Sequence, residues 1–218
     1  MTPGDCGASD QPPEKIAAIR REEAARSAKH IRAQYQCAEF RDLNIFNDDG
    51  SRRRVVEILR QFTPDIVLTA SPVDYLVDHE TTSQLVRDAC FAAPAPNYTT
   101  GARKAATPLR AIPHLYFLDP IGGVDREGQV VRPDFFVDVC AQMEVKTAML
   151  GEHESQRAWL LHHHGMDDYL EMMKAWTREN GTRAGLQYAE GFRRYKGHPY
   201  PQSPLLEELL GDSTYAAR

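Results

Sequence analysis

The sequence has no Cys-x-x-Cys pair. Its four cysteines, at positions 6, 37, 90 and 140, are too few and too scattered for a disulfide framework, and they fit reduced thiols in a cytoplasmic protein. Basic charge is also scarce. Lys and Arg number 26 against 31 Asp and Glu, and the longest basic run is the short "SRRR", which argues against a nucleic-acid surface built on charge. No apolar run approaches the roughly 18 residues of a membrane span. The opening "MTPGDCGASDQPPEK" does not have the charged-then-apolar layout of a signal peptide. There is no Gly-x-Gly-x-x-Gly fingerprint, no Walker lysine and no Gly-x-Ser-x-Gly elbow, so nucleotide binding and serine hydrolysis have no motif to stand on. What is present is an ordinary globular composition: 218 residues, 42% hydrophobic and 26% charged, enough for one substantial core and expected to form one domain.

Periodicity then assigns elements. Ile16, Ile19, Ala24, Ala28, Ile31 and Tyr35 recur at spacings of mostly three and four, predicting an amphipathic helix over 13–35 with prolines at its start. "AEFRDLNIF" (38–46) reads as a strand and "NDDGS" (47–51) as a turn. Helices are expected over 54–62, 80–92, 140–163 and 166–180, and strands over 65–70, 114–120 and 134–139. Strands alternating with helices of about 12 residues predict right-handed crossovers on a mostly parallel sheet. The loop "APAPNYTTGARKAATP" (93–108) has the length of a lid or substrate wall, or of a plain surface connection.

Chemistry concentrates in "SPVDYLVDHETTSQL" (71–85), at a strand-to-helix junction, where ligands bind in open α/β sheets. His79 has Asp78 beside it and Asp74 nearby. A neutral imidazole binds zinc, and a carboxylate on its other nitrogen orients the ring. The competing reading makes Asp78 a helix cap and His79 a first-turn residue. The consecutive His162, His163 and His164 project about 100° apart on a helix, so they suit a polar helix end better than one ion. His153 and Gln156 form a possible polar cluster on a face shared with Lys146 and Leu150. His30, His114 and His198 stand alone. Arg20 and Glu23 are spaced as an ordinary i, i+3 ion pair, although Glu23 falls in line with Ile16 and Ile19 near the core face.

Taken together, "TPGDCG", "IRREEAARSAKHI", "NDDG", "PDIVLT", "SPVDYLVDHETTSQLVRDACFAAPAPNY", "YFLDPIGGVD", "EVKTAMLGEHESQRAWL", "HHGMDDYLEMM" and "YAEGFRRYKGHPYP" resemble the PIG-L/LmbE family of zinc-dependent N-deacetylases in order and spacing. The resemblance implies a Rossmann-like three-layer α/β/α fold with a mostly parallel sheet. It implies removal of acetyl groups from N-acetylglucosamine-type sugars or related amides, and hence a small amino-sugar substrate and a zinc cofactor. It implies that His79 is the second histidine ligand, that Asp78 is the carboxylate preceding it, and that Arg20 and Asp49 are substrate-side groups.

Two departures qualify this. The family reads His-Pro-Asp-His where this chain reads "LVDH", so Leu76 replaces a histidine that assists the transition state and Val77 replaces proline. His153 is a candidate to polarise the oxyanion instead. The family's first strand ends in Ala-His-Pro-Asp-Asp, supplying the other histidine ligand, the aspartate ligand and the general base, upstream of the segment resembling "TPGDCG". No His-Pro-Asp-Asp occurs in the 218 residues. In intact members zinc lowers the pKa of bound water toward ~7, and a carboxylate moves its proton to the leaving amine. The resemblance therefore leads to the expectation of a domain incomplete at its N-terminus, lacking the first strand and inactive as written. A non-catalytic sugar-binding or subunit-type relative is the alternative.

Overall fold

A computed structural model describes residues 1–8, 11–165 and 168–217, with the side chains of His163 and His164 outside that description. Two compact units emerge: Met1–Asn44 with Asp138–Glu190, and Ile45–Val137 with Gly191–Arg218.

In the first unit, helix α1 (Pro13–Lys29) opens with proline in its first turn, where a missing N–H costs little. It buries Ile16, Ala17, Glu23 and Ser27. It stops six residues earlier than its apolar pattern predicts. Tight bonds from His30 N to Ser27 O and from Ile31 N to Ala28 O close the last turn, and Arg32 then adopts a left-handed φ of 55°. Ile31 and Tyr35 are consequently exposed. The strand expected over 38–46 does not form, because Glu39 and Leu43 both have positive φ and a turn closes from Asn44 N to Arg41 O. The long helix expected over 140–163 is a 3-10 turn followed by α4 (Met143–Gly151) and α5 (Glu154–His164). They are separated at His153, whose ψ of 57° is not helical. α5 ends on Gly165 in the left-handed conformation. The helix expected from Met166 runs as α6 over Tyr169–Ala184, and Met166 itself lies outside the described residues.

The second unit begins where a turn was expected. Asp48 caps α2 (Asp49–Phe62) by accepting from Ser51 N at 2.7 Å, so "NDDGS" starts a helix instead. Thr63, left-handed at φ 46°, ends it just before Pro64. Strand β1 (Ile66–Thr69) follows, then α3 (Val77–Ala92), then β2 (His114–Leu118), parallel to β1 with Ile66 opposite His114. The α3 crossover supplies that parallel pair. α3 buries Leu85, Val86, Ala89 and Cys90, each large apolar side chain contributing about 1.5–3 kcal/mol.

The remaining strands make the sheet mixed, correcting the mostly parallel expectation. β3 (Phe135–Asp138) follows β2 through a turn-rich link without a crossover helix. β4 (Ala189–Arg194) pairs antiparallel with β2, and β5 (Thr214–Ala216) pairs antiparallel with β3. The order is β1-β2-β4-β3-β5. A short helix α7 (Leu205–Leu210) is tied to β2 by Tyr116, whose hydroxyl donates to Glu207 Oε2 and accepts from Leu206 N.

The 93–108 loop is pinned rather than loose. Arg60 donates to the carbonyls of Ala93 and Ala95, both at 2.9 Å. Buried Glu57 accepts from Thr100 Oγ1 at 2.6 Å and from Ala106 N at 2.9 Å.

Candidate active site

The loop between β1 and α3 is held by its own polar groups. Ser71, 1% exposed, donates to Val73 O and accepts from Val73 N and from Arg193 Nη2 at 2.6 Å. Arg193 comes from β4, and burial lowers its pKa. Gly191 on the same strand has no room for a side chain, since a Cβ there would lie 2.1 Å from Asp119 Oδ2.

This framework presents Asp74, which is 3% exposed. Its backbone N–H donates to Glu80 Oε1 at 2.9 Å, and its Oδ1 accepts from Leu76 N at 3.1 Å. The same Oδ1 lies 2.9 Å from His79 Nδ1. An ionised carboxylate only accepts, so Nδ1 is the protonated nitrogen in this pairing and Nε2 keeps its lone pair. Tyr75 sets its ring edge-on to the imidazole at 5.7 Å, and burial raises its own pKa. Glu80 is further held by an ion pair with Arg126. His79 is 36% exposed at its side chain.

His79 stands in the first turn of α3, at the strand-to-helix junction, and of the two carboxylates near it in sequence Asp74 is hydrogen-bonded to its ring. Asp78 is 5% exposed in the first turn of α3. Leu76 occupies the N-cap of α3 without a capping side chain, and Val77 is exposed.

Asp49, at the first position of α2, is exposed and accepts from Arg53 Nε at 2.7 Å, which lowers its pKa. Arg53 lies over the Tyr98 ring and bonds Thr99, so this set fastens the 93–108 loop to α2.

Arg20 and His153 belong to the first unit. Arg20 donates Nη1 to Gly4 O at 2.7 Å and Nη2 to Gly7 O at 2.8 Å, gripping the "TPGDCG" loop; burial lowers its pKa. Gly4 is needed there twice over: its φ is +68°, and a Cβ would meet Arg20 Nη1 at 2.5 Å. The i, i+3 pairing read from the sequence gives way to separate roles. Buried Glu23 accepts from Ser155 N at 2.8 Å and Ser155 Oγ at 2.6 Å, satisfying the amino end of α5. His153 is the half-buried residue preceding α5. The face expected to join it to Lys146 and Leu150 is broken by the bend between α4 and α5. Lys146 instead donates to Thr177 Oγ1 and pairs with Glu190. His30 is paired with Glu152 at 2.9 Å, beside Arg26.

The donor set tests the implied zinc. His79 offers one imidazole nitrogen, oriented from behind by Asp74 as metal-bound histidines are. Among the described residues no group of three His, Cys, Asp or Glu side chains is arranged to hold a metal ion. The described residues do not make a zinc site.

In open α/β folds a polar site at a strand-to-helix junction lies where small ligands bind. Comparison with known proteins goes further. Residues 1–90 match the family model described as PIG-L, GlcNAc-PI de-N-acetylase. The diacetylchitobiose deacetylase of Thermococcus kodakarensis is 27% identical over 206 residues, covering 90% of this chain and 71% of its own. The 4-oxalmesaconate hydratase of Pseudomonas putida is 27% identical over 137 residues, covering 62% of this chain and 50% of its own. Among solved structures, the N,N'-diacetylchitobiose deacetylase of Pyrococcus horikoshii superposes with a TM-score of 0.72 at 24% identity, covering 94% of this chain and 75% of that one. At that identity the likeness speaks for a shared fold.

Proposed function

We propose that this chain is a deacetylase-type protein whose ligand is an N-acetylglucosamine-type sugar or a related amide, with His79 at the reacting end. The observation that carries this is the Asp74–His79 pair, set at the end of a parallel strand inside the segment that matches the PIG-L family and in a chain similar to a diacetylchitobiose deacetylase. The carboxylate fixes the tautomer and leaves the Nε2 lone pair for a ligand. Asp78, buried one residue before, is proposed to serve the same reaction centre. A role for His153 as oxyanion donor rests on the resemblance alone, and the bonds of Arg20 and Asp49 support loop-holding parts.

That no three-donor group stands among the described residues also supports a second statement: the protein does not release acetate. The test is acetate release from N,N'-diacetylchitobiose by the purified protein, with and without added zinc. No release above blank is expected. Zinc-dependent release that disappears in His79→Ala would overturn the inactivity and establish a complete site. The same observation favours a second reading, a non-catalytic sugar-binding relative, which predicts saturable binding of N,N'-diacetylchitobiose without turnover.

A further inference from the structure

At the far end of α3 the second unit has a cleft of about 470 Å³ that the surroundings of His79 do not use. His79 stands in the first turn of α3 and Phe91 in the last, so roughly 18 Å of helix separates them. The sheet agrees. Tyr116 pairs with Arg194 and Leu118 with Phe192, so Tyr195 lies toward the amino end of β2, opposite the strand ends that lead to His79.

Four phenyl or phenol rings line the cleft, Phe91, which is 55% exposed, with Tyr98, Tyr195 and Tyr200, and the His198 imidazole joins them. Two guanidiniums, Arg52 and Arg87, line it with a single carboxylate, Asp88. That carboxylate is already occupied. Its Oδ1 accepts from Arg87 Nε and Nη2 at 3.0 and 2.9 Å, and its Oδ2 accepts from Asn47 Nδ2 at 2.8 Å. Arg52 gives Nη2 to Asn47 Oδ1 at 3.2 Å, while its Nε is buried with no hydrogen-bond partner.

Donors and positive charge therefore exceed acceptors in this cleft. Each guanidinium carries five N–H donors, and beyond those spent on Asn47 and Asp88 the remaining ones of Arg52 and Arg87 are available to an incoming oxygen. Guanidiniums hold carboxylate or phosphate through their planar forks, and aromatic faces favour flat ring ligands. The volume is that of a small-ligand pocket.

We propose that this cleft binds a small organic anion: a planar ring against the aromatic side chains, with its carboxylate or phosphate on Arg52 and Arg87. It stands apart from the deacetylase reading, and neither depends on the other.

The test is calorimetric titration of the 218-residue protein with 4-hydroxybenzoate and phenyl phosphate, against phenol and inorganic phosphate as half-ligands. Saturable binding of either ring anion is expected, and which one binds identifies the headgroup. Each half-ligand should bind at least about tenfold more weakly, as loss of either ring contact or charge-assisted bonds requires. The double variant Arg52→Gln, Arg87→Gln should weaken binding by at least about tenfold, and Phe91→Ala by about fivefold. Phe91 is exposed, so its variant decides the matter if the arginine double variant does not fold. No saturation by either ring anion, unchanged affinity in the variants, or equal binding of inorganic phosphate overturns the proposal.

Discussion

His79 Nδ1 lies 2.9 Å from Oδ1 of Asp74, a carboxylate five residues earlier that is itself almost wholly buried. The pairing fixes which imidazole nitrogen carries the proton. In the neutral ring, Nδ1 is protonated and Nε2 is bare. Nitrogen-detected NMR of the His79 ring is expected to report that tautomer; a ring protonated at Nε2 would contradict the assignment.

Removing the acceptor has a structural consequence as well. Asp74→Ala leaves His79 Nδ1 and the Leu76 N–H without their partner at the head of α3. The expected loss is about 1–3 kcal/mol of stability, read from urea unfolding. His79→Ala should cost less, because its ring is partly exposed.

The buried carboxylate of Glu23 satisfies two donors of Ser155 at the start of α5. Glu23→Ala should destabilise the protein by about 1–3 kcal/mol. A surface ion pair with Arg20 would instead be worth only tenths of a kcal/mol, so the size of the loss separates the two roles.

Glu57 gives a pH signature. Burial acts to raise its pKa, but bonds from Thr100 Oγ1 and Ala106 N outweigh that and leave the folded value below the usual one. A depressed folded pKa contributes stability above the unfolded value, lost as pH falls through the folded value. Unfolding free energies from neutral pH down through the ordinary carboxylate range should therefore fall more steeply in the wild type than in Glu57→Gln. Amide exchange in the 100–106 segment should rise over the same range.

Gly191 tests the framework behind the β1–α3 loop. A methyl there would collide with Asp119 Oδ2. Gly191→Ala should cost about 1–3 kcal/mol, seen as a lower Tm.

The sequence was most legible where local pattern and tertiary role agreed. The apolar spacing of α3, the four-residue run of β1 and the junction carrying His79 all stand where periodicity puts them. Legibility failed where a single dihedral or a distant partner decided. Positive φ at Glu39 and Leu43 abolished an expected strand, and Asp48 turned an apparent turn into a helix cap. The bend at His153 divided one helical pattern into two. β4 was missed because "AEGFRR" has too few apolar residues to signal a strand, although its middle is buried between neighbours. The mostly parallel expectation followed from missing β4 and β5, whose antiparallel pairings make the sheet mixed. At the site, both Asp74 and Asp78 stand near His79 in sequence, and it is the fold of the β1–α3 loop that brings Asp74 onto the imidazole. Glu23 carried the one advance signal among the polar residues, since its position on the core side of α1 was already out of keeping with a surface ion pair.

The most direct test of the account is the zinc content of the purified 218-residue protein, measured by elemental mass spectrometry after equilibration with zinc and removal of the excess. One oriented imidazole, with no three-donor group among the described residues, predicts well below one zinc per chain, with His79→Ala little different. One tightly held zinc per chain, lost in His79→Ala, would contradict it.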